Sequence, residues 1–377
     1  MFERKIGIAT LTSLLFLAGG MVLADDGSAT TPNPQSLLGT SKVPEANEAI
    51  KKGDSLDEKG KHKDAIAQYR EAVRLDPDCS KAHQRLGGCL AKWFDDYDTA
   101  ILEEQTAIKL EPKYYLPHVV LGEIYANQQK NDDSLKEFRA AISLNPTSYN
   151  ALKDIGLACQ QLSMSADNPN EYLDEGIKAC QKATEIKPDQ PAAYINLGVL
   201  FSLKHSYQDA IKAENQAIQL KSDDVNPYLN LGNIYNDSGD LDNAVKSFED
   251  AIRISKNHPS AHCGLGLVLL KKGNVKEAIA EQRKALKIAP GFFVAHRRLA
   301  EALLADGNKD GAAAEFKEAI KLNPNDTASR VQYAKMLVAQ GNTDEASNQY
   351  HKALEINPKA KIAQDGLDEI AAKTKTK

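Results

Sequence analysis

The sequence has few of the residues that cross-link small secreted folds or build an aromatic core. Its 377 residues include five cysteines, one tryptophan and only 6% aromatic residues in all. A small and odd number of cysteines excludes a fold that depends on a disulfide framework. The fold must therefore be stabilised by the packing of aliphatic residues, which are mostly Leu, Ile and Ala.

The sequence also lacks an excess of positive charge. It contains 47 Lys and Arg against 52 Asp and Glu, which gives a net charge of −5. A surface that follows nucleic-acid phosphates needs a clustered excess of Lys and Arg. We therefore predict a soluble protein without a nucleic-acid partner.

Catalytic signatures are missing as well. There is no Gly-rich loop after a predicted strand, no His-Glu-x-x-His and no Ser in a strand–turn–helix elbow. The many Asp and Glu residues fall on positions that a helical pattern places in solvent. We predict a non-enzymatic protein with no catalytic residues and no cofactor.

What the sequence has is a single period that runs through most of its length. A proline closing a short Leu/Ile-x-Pro or similar tripeptide recurs every 34 or 35 residues, with one interval of 42. The positions are Pro77, Pro112, Pro146, Pro188, Pro290, Pro324 and Pro358, with Ser222 and Lys256 in two slots of the same register. Such a period indicates one helical unit copied in tandem, each copy too small to bury its apolar face without its neighbours.

Each copy contains two stretches with helical spacing of apolar residues, separated by a polar break. The break holds a glycine in five copies, at Gly60, Gly239, Gly273, Gly307 and Gly341. Ten residues after each proline slot comes a small residue, at Gly87, Gly122, Gly156, Gly198, Gly232, Gly266, Ala300 and Ala334. Since Gly inside a helix costs about 1 kcal/mol against Ala, we expect two helices to approach closely there, opposite the recurring alanines of the second stretch.

A bulky slot lies between two small slots of the second stretch. It holds Tyr69, Phe138, Phe248, Phe316 and Tyr350, with Cys180, Glu104, Glu214 and Gln282 as departures. Cys159 and Cys180 occupy facing core slots of one copy. They are either bridged, which would contribute about 3 kcal/mol, or two small apolar fillers.

Four of the eight histidines occupy equivalent slots of the period, at His83, His118, His262 and His296. No Cys or His follows any of them at ligand spacing. We interpret them as packing residues and predict no metal site.

The pattern Leu-Gly, then Tyr or Leu, Ala, Phe, Ala and Pro resembles the tetratricopeptide repeat, as in Leu231, Gly232, Tyr235, Phe248 and Ala251. The resemblance covers residues 46–358 in nine copies. It implies an all-α fold, a right-handed superhelical α-solenoid of antiparallel helix pairs, whose first helices line a concave groove that binds peptides or protein surfaces.

The two ends differ from the repeats. Residues 1–24 have a charged start, an apolar run and a small-residue exit, which predicts a signal peptide and an exported, periplasmic or secreted protein. The alternative is an uncleaved membrane anchor. Residues 25–45 are predicted to be a flexible linker, and residues 359–377 a C-terminal capping helix with a Lys-rich tail.

The resemblance places the candidate partner-binding residues on first helices, beside the Leu-Gly pair. They are Arg85, Lys153, Asn196, Asn226, Asn230, Asn233, Arg297 and Arg298. Asn suits this role because its amide both donates to and accepts from a peptide backbone. Asn196 and Asn230, one repeat apart, resemble two rungs of an asparagine ladder.

Two further features stay open at this stage. Trp93 and Phe94 are either exposed interface anchors or fillers of a repeat junction. The polar insertion at residues 163–171 lengthens one turn, on an edge that sometimes binds ligands.

These observations favour a protein–protein interaction scaffold that binds a peptide or partner protein along the groove. The alternative is a membrane-tethered envelope assembly factor that keeps its N-terminal segment as an anchor. Without that anchor we expect no membrane partner.

Overall fold

The computed structural model of the protein describes residues 39–375, and side chains as far as residue 372. These residues form nineteen helices in consecutive paired packing and no strand. The all-α fold is therefore as predicted. The predicted signal peptide and most of the predicted linker lie outside the described residues. Within them, no helix is both long and apolar enough to cross a bilayer.

The helices fall into two compact units that divide between Leu220 and Lys221. The first unit contains five helix pairs, α1/α2 to α9/α10. Their bounds are α1 Pro44–Glu58, α2 His62–Leu75, α3 Ser80–Phe94, α4 Tyr97–Leu110, α5 Leu116–Asn127, α6 Asn131–Leu144, α7 Tyr149–Ser165, α8 Pro169–Ile186, α9 Pro191–Leu203 and α10 Tyr207–Leu220.

The second unit contains four helix pairs and a final helix. Their bounds are α11 Val225–Ser238, α12 Leu241–Ile254, α13 Pro259–Lys271, α14 Val275–Ile288, α15 Phe293–Ala305, α16 Lys309–Leu322, α17 Thr327–Ala339, α18 Thr343–Ile356 and α19 Lys361–Lys375. The helix α19 occupies the predicted capping segment and packs on α18.

Local sequence sets where the helices begin and end. Asp240 accepts a hydrogen bond from the Asn243 N–H at the start of α12, and Asp326 does the same for Ser329 at the start of α17, which satisfies otherwise free donors. The five glycines of the polar breaks all have φ between 73° and 90°, a region that costs Gly little. The helix α1 begins at Pro44, two residues inside the predicted linker, because Pro is well suited to the first helical turn.

The glycines of the small slot do lie close to the second helix, as predicted, but against its bulky slot and not mainly against its alanines. A Cβ on Gly122 would lie 2.5 Å from the ring of Phe138, and one on Gly232 would lie 2.7 Å from the ring of Phe248. The glycine therefore makes room for the bulky slot of its own pair. The small alanine slot is also near, since the carbonyl oxygen of Ala100 would lie 3.1 Å from a Cβ on Gly87.

Four acidic residues depart from the predicted solvent exposure: Asp154 and Asp326 are 8% and 5% exposed, and two glutamates lie deeper in the core. Glu104 and Glu214 fill the bulky slot of their pairs and are both 0% exposed. The period itself assigns both to this slot, and Gly87 and Gly198 leave space for a carboxyl group there. Gln282 fills the same slot, and its Nε2 donates to the carbonyl oxygen of Cys263 at 2.9 Å.

The cysteines are buried free thiols. Cys159 and Cys180 are both fully buried and are not bridged, so the small-filler interpretation holds. A Cβ on Gly156 would clash with the sulfur of Cys180, which shows that Cys180 packs in the bulky slot.

Successive first helices contact one another within each unit, for example α3 with α5, α5 with α7 and α11 with α13. No comparably close contact joins successive second helices among the described residues. Each unit therefore has its first helices on the side where successive pairs lie closest, which we call the inner face, and its second helices on the outer face.

Candidate functional site

The inner face of residues 39–220 changes chemistry from one helix to the next. The residue directly after each small slot contributes to it, where Gly53 is the small slot of α1 because a Cβ there would lie 2.5 Å from the Tyr69 ring. We call this set the inner row. In this unit the inner row is Asp54, Gly88, Glu123, Leu157 and Val199. It therefore runs from acidic to aliphatic along the chain.

A charged cluster lies where α5 meets α7. Lys153 pairs with the neighbouring carboxylate of Asp154, and Glu123 of α5 lies beside them with Oε2 buried and without a hydrogen-bond partner. Burial, and next the negative charge of Asp154, raise the pKa of Glu123 to about 8. Burial alone would lower the pKa of Lys153, but the Asp154 carboxylate outweighs it and raises that pKa. Glu123 can thus both donate and accept a hydrogen bond near neutral pH.

An aliphatic patch follows this cluster on α7 and α9. Leu157, Ile195 and Val199 are half-buried, and none of them belongs to a hydrophobic core cluster or packs against one. Apolar side chains of this kind are available to cover a ligand's apolar side chains.

Arg85 and Asn196, two predicted site residues of this unit, make contacts within the protein. Arg85 Nε lies 3.1 Å from Asp54 Oδ1. Asn196 is 9% exposed and its Nδ2 donates to the carbonyl oxygen of Lys153 at 3.0 Å. The amide donor of Asn196 is therefore used in joining α9 to α7, a contact that the sequence did not predict.

The three predicted asparagines of residues 221–375 differ in how exposed they are. Asn230 is buried at 6% exposure, whereas Asn226 and Asn233 are half-buried on α11. The structure thus leaves Asn226 and Asn233 more accessible than Asn230. Their role in binding stays a prediction.

Arg297 and Arg298 lie on α15 and differ in environment. Arg298 Nη1 donates to Glu301 Oε2 at 2.8 Å. Arg297 is only 3% exposed, with Nε 3.4 Å from Asp326 Oδ2 and no hydrogen bond from Nε or Nη2. Burial, and then the charge of Arg298, lower the pKa of Arg297. A small open pocket of 330 Å³ lies beside them, lined in part by Glu301, Gln332 and Lys335.

The four equivalent histidines join the two helices of their pairs. The Nδ1 atom of each lies 2.5 to 2.7 Å from a glutamate of the second helix: Glu103, Glu137, Glu281 and Glu315. In three of them Nε2 also contacts a backbone carbonyl of the preceding turn. These contacts explain the recurrence of His by packing, as predicted. Within the described residues, no group of three or more His, Cys, Asp or Glu is placed to hold a metal ion.

Trp93 and Phe94 are exposed, at 42% and 39%. The indole of Trp93 stacks on the His62 ring with centroids 3.8 Å apart, and Lys92 Nζ lies 4.5 Å from the centroid. Trp93 is thus partly covered by its own chain. The 163–171 insertion lengthens helices, since α7 extends to Ser165 and α8 begins at Pro169.

The sequence interpretation missed Glu123, Leu157 and Val199. Aligning the copies on their small slot identifies these positions, because every member of the inner row directly follows that slot. The alignment does not show that they lie on the inner face, because this depends on packing between helix pairs.

Family models match most of the repeat region. A model described as the Cilia and flagella-associated protein 70 C-terminal domain matches residues 168–372, more than half of the chain. Two tetratricopeptide-repeat models match residues 50–115 and 118–148.

Solved structures with similar folds have low sequence identity to the chain. They include the APC/C hetero-tetramer Cut9-Hcn1 (17% identity, 86% of this chain, 76% of that chain, TM-score 0.48). They also include yeast Tom70, with 14% identity over 88% of this chain and 96% of that chain and a TM-score of 0.49. A third is YrrB, described as a tetratricopeptide-repeat protein with an unusual peptide-binding site. It has 23% identity over 51% of this chain and 99% of that chain, with a TM-score of 0.37.

These family matches agree with the fold, in which helix pairs with a glycine against an aromatic ring recur along the chain. The chain belongs to the tetratricopeptide-repeat family, in the group represented by the Cilia and flagella-associated protein 70 C-terminal domain.

Proposed function

We propose that the protein is a non-enzymatic scaffold of nine tetratricopeptide repeats that binds an extended peptide segment of a partner protein along its inner face. The observation that carries this proposal is the aliphatic patch beside the charged cluster on α5, α7 and α9. Tetratricopeptide-repeat proteins generally act as interaction scaffolds, which supports the broad class. Export by the N-terminal segment belongs to the same proposal.

The chemistry of the patch suggests what the peptide contains. Leu157, Ile195 and Val199 would cover an aliphatic side chain, whose burial contributes about 25 cal/mol per Å² of apolar surface. Glu123, which is half-buried beside the patch, would meet a polar group of the peptide, either a backbone N–H or a side chain.

The test is a selection of displayed 12-residue peptides on the full chain, followed by fluorescence anisotropy with the selected peptides. We expect Leu157→Asp and Val199→Asp each to weaken binding about tenfold or more, because each places a charge against the ligand's apolar side chain. Gln181→Asp on exposed α8 is the matched control and should change affinity less than twofold. Circular dichroism of each variant checks that it folds.

Equal affinities for wild type and both patch variants would contradict the proposal. Selection of the same peptides by a variant carrying both substitutions would do so as well. N-terminal sequencing of the protein recovered from its producing cells tests export, since a start at Asp25 is expected for the cleaved form and an intact Met1 supports the anchored alternative.

A further inference from the structure

A basic stripe runs along the outer face of α14. Lys276, Ala280, Arg283 and Lys287 are all exposed, and their spacing of four, three and four residues puts them on one side of a helix. No ion pair is formed by Lys276, Arg283 or Lys287 among the described residues. The nearby cation Lys284 is different, because it pairs with Glu281 at 2.7 Å.

The local charge around this stripe departs from the chain as a whole. Residues 253–298 contain ten Lys and Arg but only two Asp and Glu, Glu277 and Glu281, in a chain whose net charge is −5. Glu281 also lies 2.7 Å from His262 Nδ1. Arg253, Lys272, Arg297 and Arg298 pair with acids outside the segment, so the charge left without an ion pair is mainly that of the stripe.

The same arrangement occurs once more, in the unit of residues 39–220. Counting from the recurring buried alanine, Lys63, Ala67, Arg70 and Arg74 of α2 occupy the four slots of the α14 stripe, and all four are exposed. Arg74 pairs with Glu71 at 2.6 Å, so α2 is the weaker of the two stripes. No other second helix has cations at three of these four slots.

The second helices next to α14 in the repeat order limit what can bind. At the stripe slots, α12 has Asp242 and Glu249 together with Lys246 and Arg253, and α16 has Asp310 together with Lys317 and Lys321. A flat polyanion that covers several helices, such as a bilayer or a duplex, would also meet these carboxylates. A single acidic chain laid along α14 meets cations alone, because the stripe is one helix wide.

We propose that the α14 stripe, and with lower affinity the α2 stripe, each bind an acidic polypeptide segment of a partner protein. This surface is on the opposite side of the helix pair from the inner face, so the proposal does not depend on the inner-face ligand. The helical rise puts Arg283 and Lys287 about 6 Å apart along the axis and Lys276 about 10 Å from Arg283. A segment with Asp or Glu at every second or third residue presents carboxylates at about this spacing.

The test uses the full chain and a fluorescein-labelled 14-residue peptide of alternating Glu and Ser. Calorimetry at 50 mM NaCl should give two peptides per chain, and raising NaCl to 200 mM should weaken binding at least fivefold, because exposed charge pairs are screened. The triple variant Lys276→Glu/Arg283→Glu/Lys287→Glu should bind one peptide, and adding Lys63→Glu/Arg70→Glu/Arg74→Glu should abolish binding.

The matched control is Lys182→Glu/Lys246→Glu/Lys352→Glu, which has the same net charge change at three exposed lysines outside the stripes. Its affinity should stay within twofold of wild type. An equal loss in the control and in the α14 variant, or no loss in the α14 variant, overturns the proposal. A stoichiometry of one in the wild type removes α2 from it.

Two further probes separate the alternative partners. A 14-base-pair DNA duplex and phosphatidylserine vesicles are titrated under the same conditions. Binding of either that is tighter than that of the peptide, and lost in the α14 variant, would replace the acidic-protein proposal with a nucleic-acid or a membrane surface. We expect both to bind more weakly than the peptide.

Discussion

Glu104 lies against Gly87 inside the second helix pair. A Cβ at Gly87 would lie 2.6 Å from Glu104 Oε1, and Glu104 is completely buried. Burial, and next the charge of Glu103, raise the pKa of Glu104 well above its usual range. The carboxyl group in this core slot therefore holds its proton to a higher pH than an ordinary surface glutamate does.

We predict that Glu104→Gln stabilises the protein at high pH. The folded pKa of Glu104 is above its unfolded value, so its contribution is fully present below the unfolded pKa of about 4.3 and is lost as the pH rises through the folded pKa. Gln does not ionise, and Gln282 shows that an amide fits this slot. The urea midpoint at pH 9 should rise by the equivalent of about 1 to 3 kcal/mol, with a smaller change at pH 5. Glu185→Gln, at an exposed site, is the control, and a destabilised Glu104→Gln at pH 9 would contradict the prediction.

Gly122→Ala tests the glycine-to-ring contact. The new Cβ would lie 2.5 Å from the ring of Phe138, a side chain that is 1% exposed and packed in the core. Overpacking costs about 1 to 3 kcal/mol, and the gain in helix propensity of about 1 kcal/mol offsets part of it. We expect a lower urea midpoint, with a net loss of up to about 2 kcal/mol. Gly291→Ala has no atom within 4 Å of its Cβ and should be neutral or slightly stabilising. Similar midpoints for both variants would mean that the contact does not constrain the fold.

His83 should titrate above an ordinary histidine. Burial acts to lower the pKa of His83, but hydrogen bonds with Glu103 and with the Pro77 carbonyl outweigh it and raise the pKa. The stability contributed by protonated His83 is therefore complete below about pH 6.5 and lost as the pH rises through the folded pKa. Proton NMR of the ring, assigned with His83→Gln, gives the value. Glu103→Gln should lower it, and an unchanged pKa in that variant would exclude Glu103 as the cause.

All five cysteines should be free but unreactive in the folded protein. Each is buried, and burial raises the pKa of Cys159 to about 12 and that of Cys263 to about 11. Since the thiolate is the reactive form, a thiol reagent at pH 7.5 should modify almost nothing in the native protein and five groups in denaturant. A count of three in denaturant without reductant would show a bridge.

The repeat period predicted most of the fold because each copy has the same local pattern. Pairs such as α11 and α12 follow from Leu231, Gly232 and Phe248. The period assigned Glu104 and Glu214 to the bulky slot, but the expectation that acidic residues lie in solvent was wrong for both. The period did not predict that Asn196 joins two helices or that Glu123 and Leu157 lie on the inner row. Contacts between pairs decide these cases, and one copy's sequence does not contain them.

The final helix repeats an internal contact. A Cβ on Gly366 of α19 would lie 2.4 Å from the ring of Tyr350, as one on Gly264 would lie 2.4 Å from the ring of Phe248, and each glycine follows its ring by 16 residues. The helix α19 therefore imitates the first helix of a further repeat. Without α19, the ring of Tyr350 would be exposed to water on one side. Unfolding would then start from the last helix pair, α17 and α18.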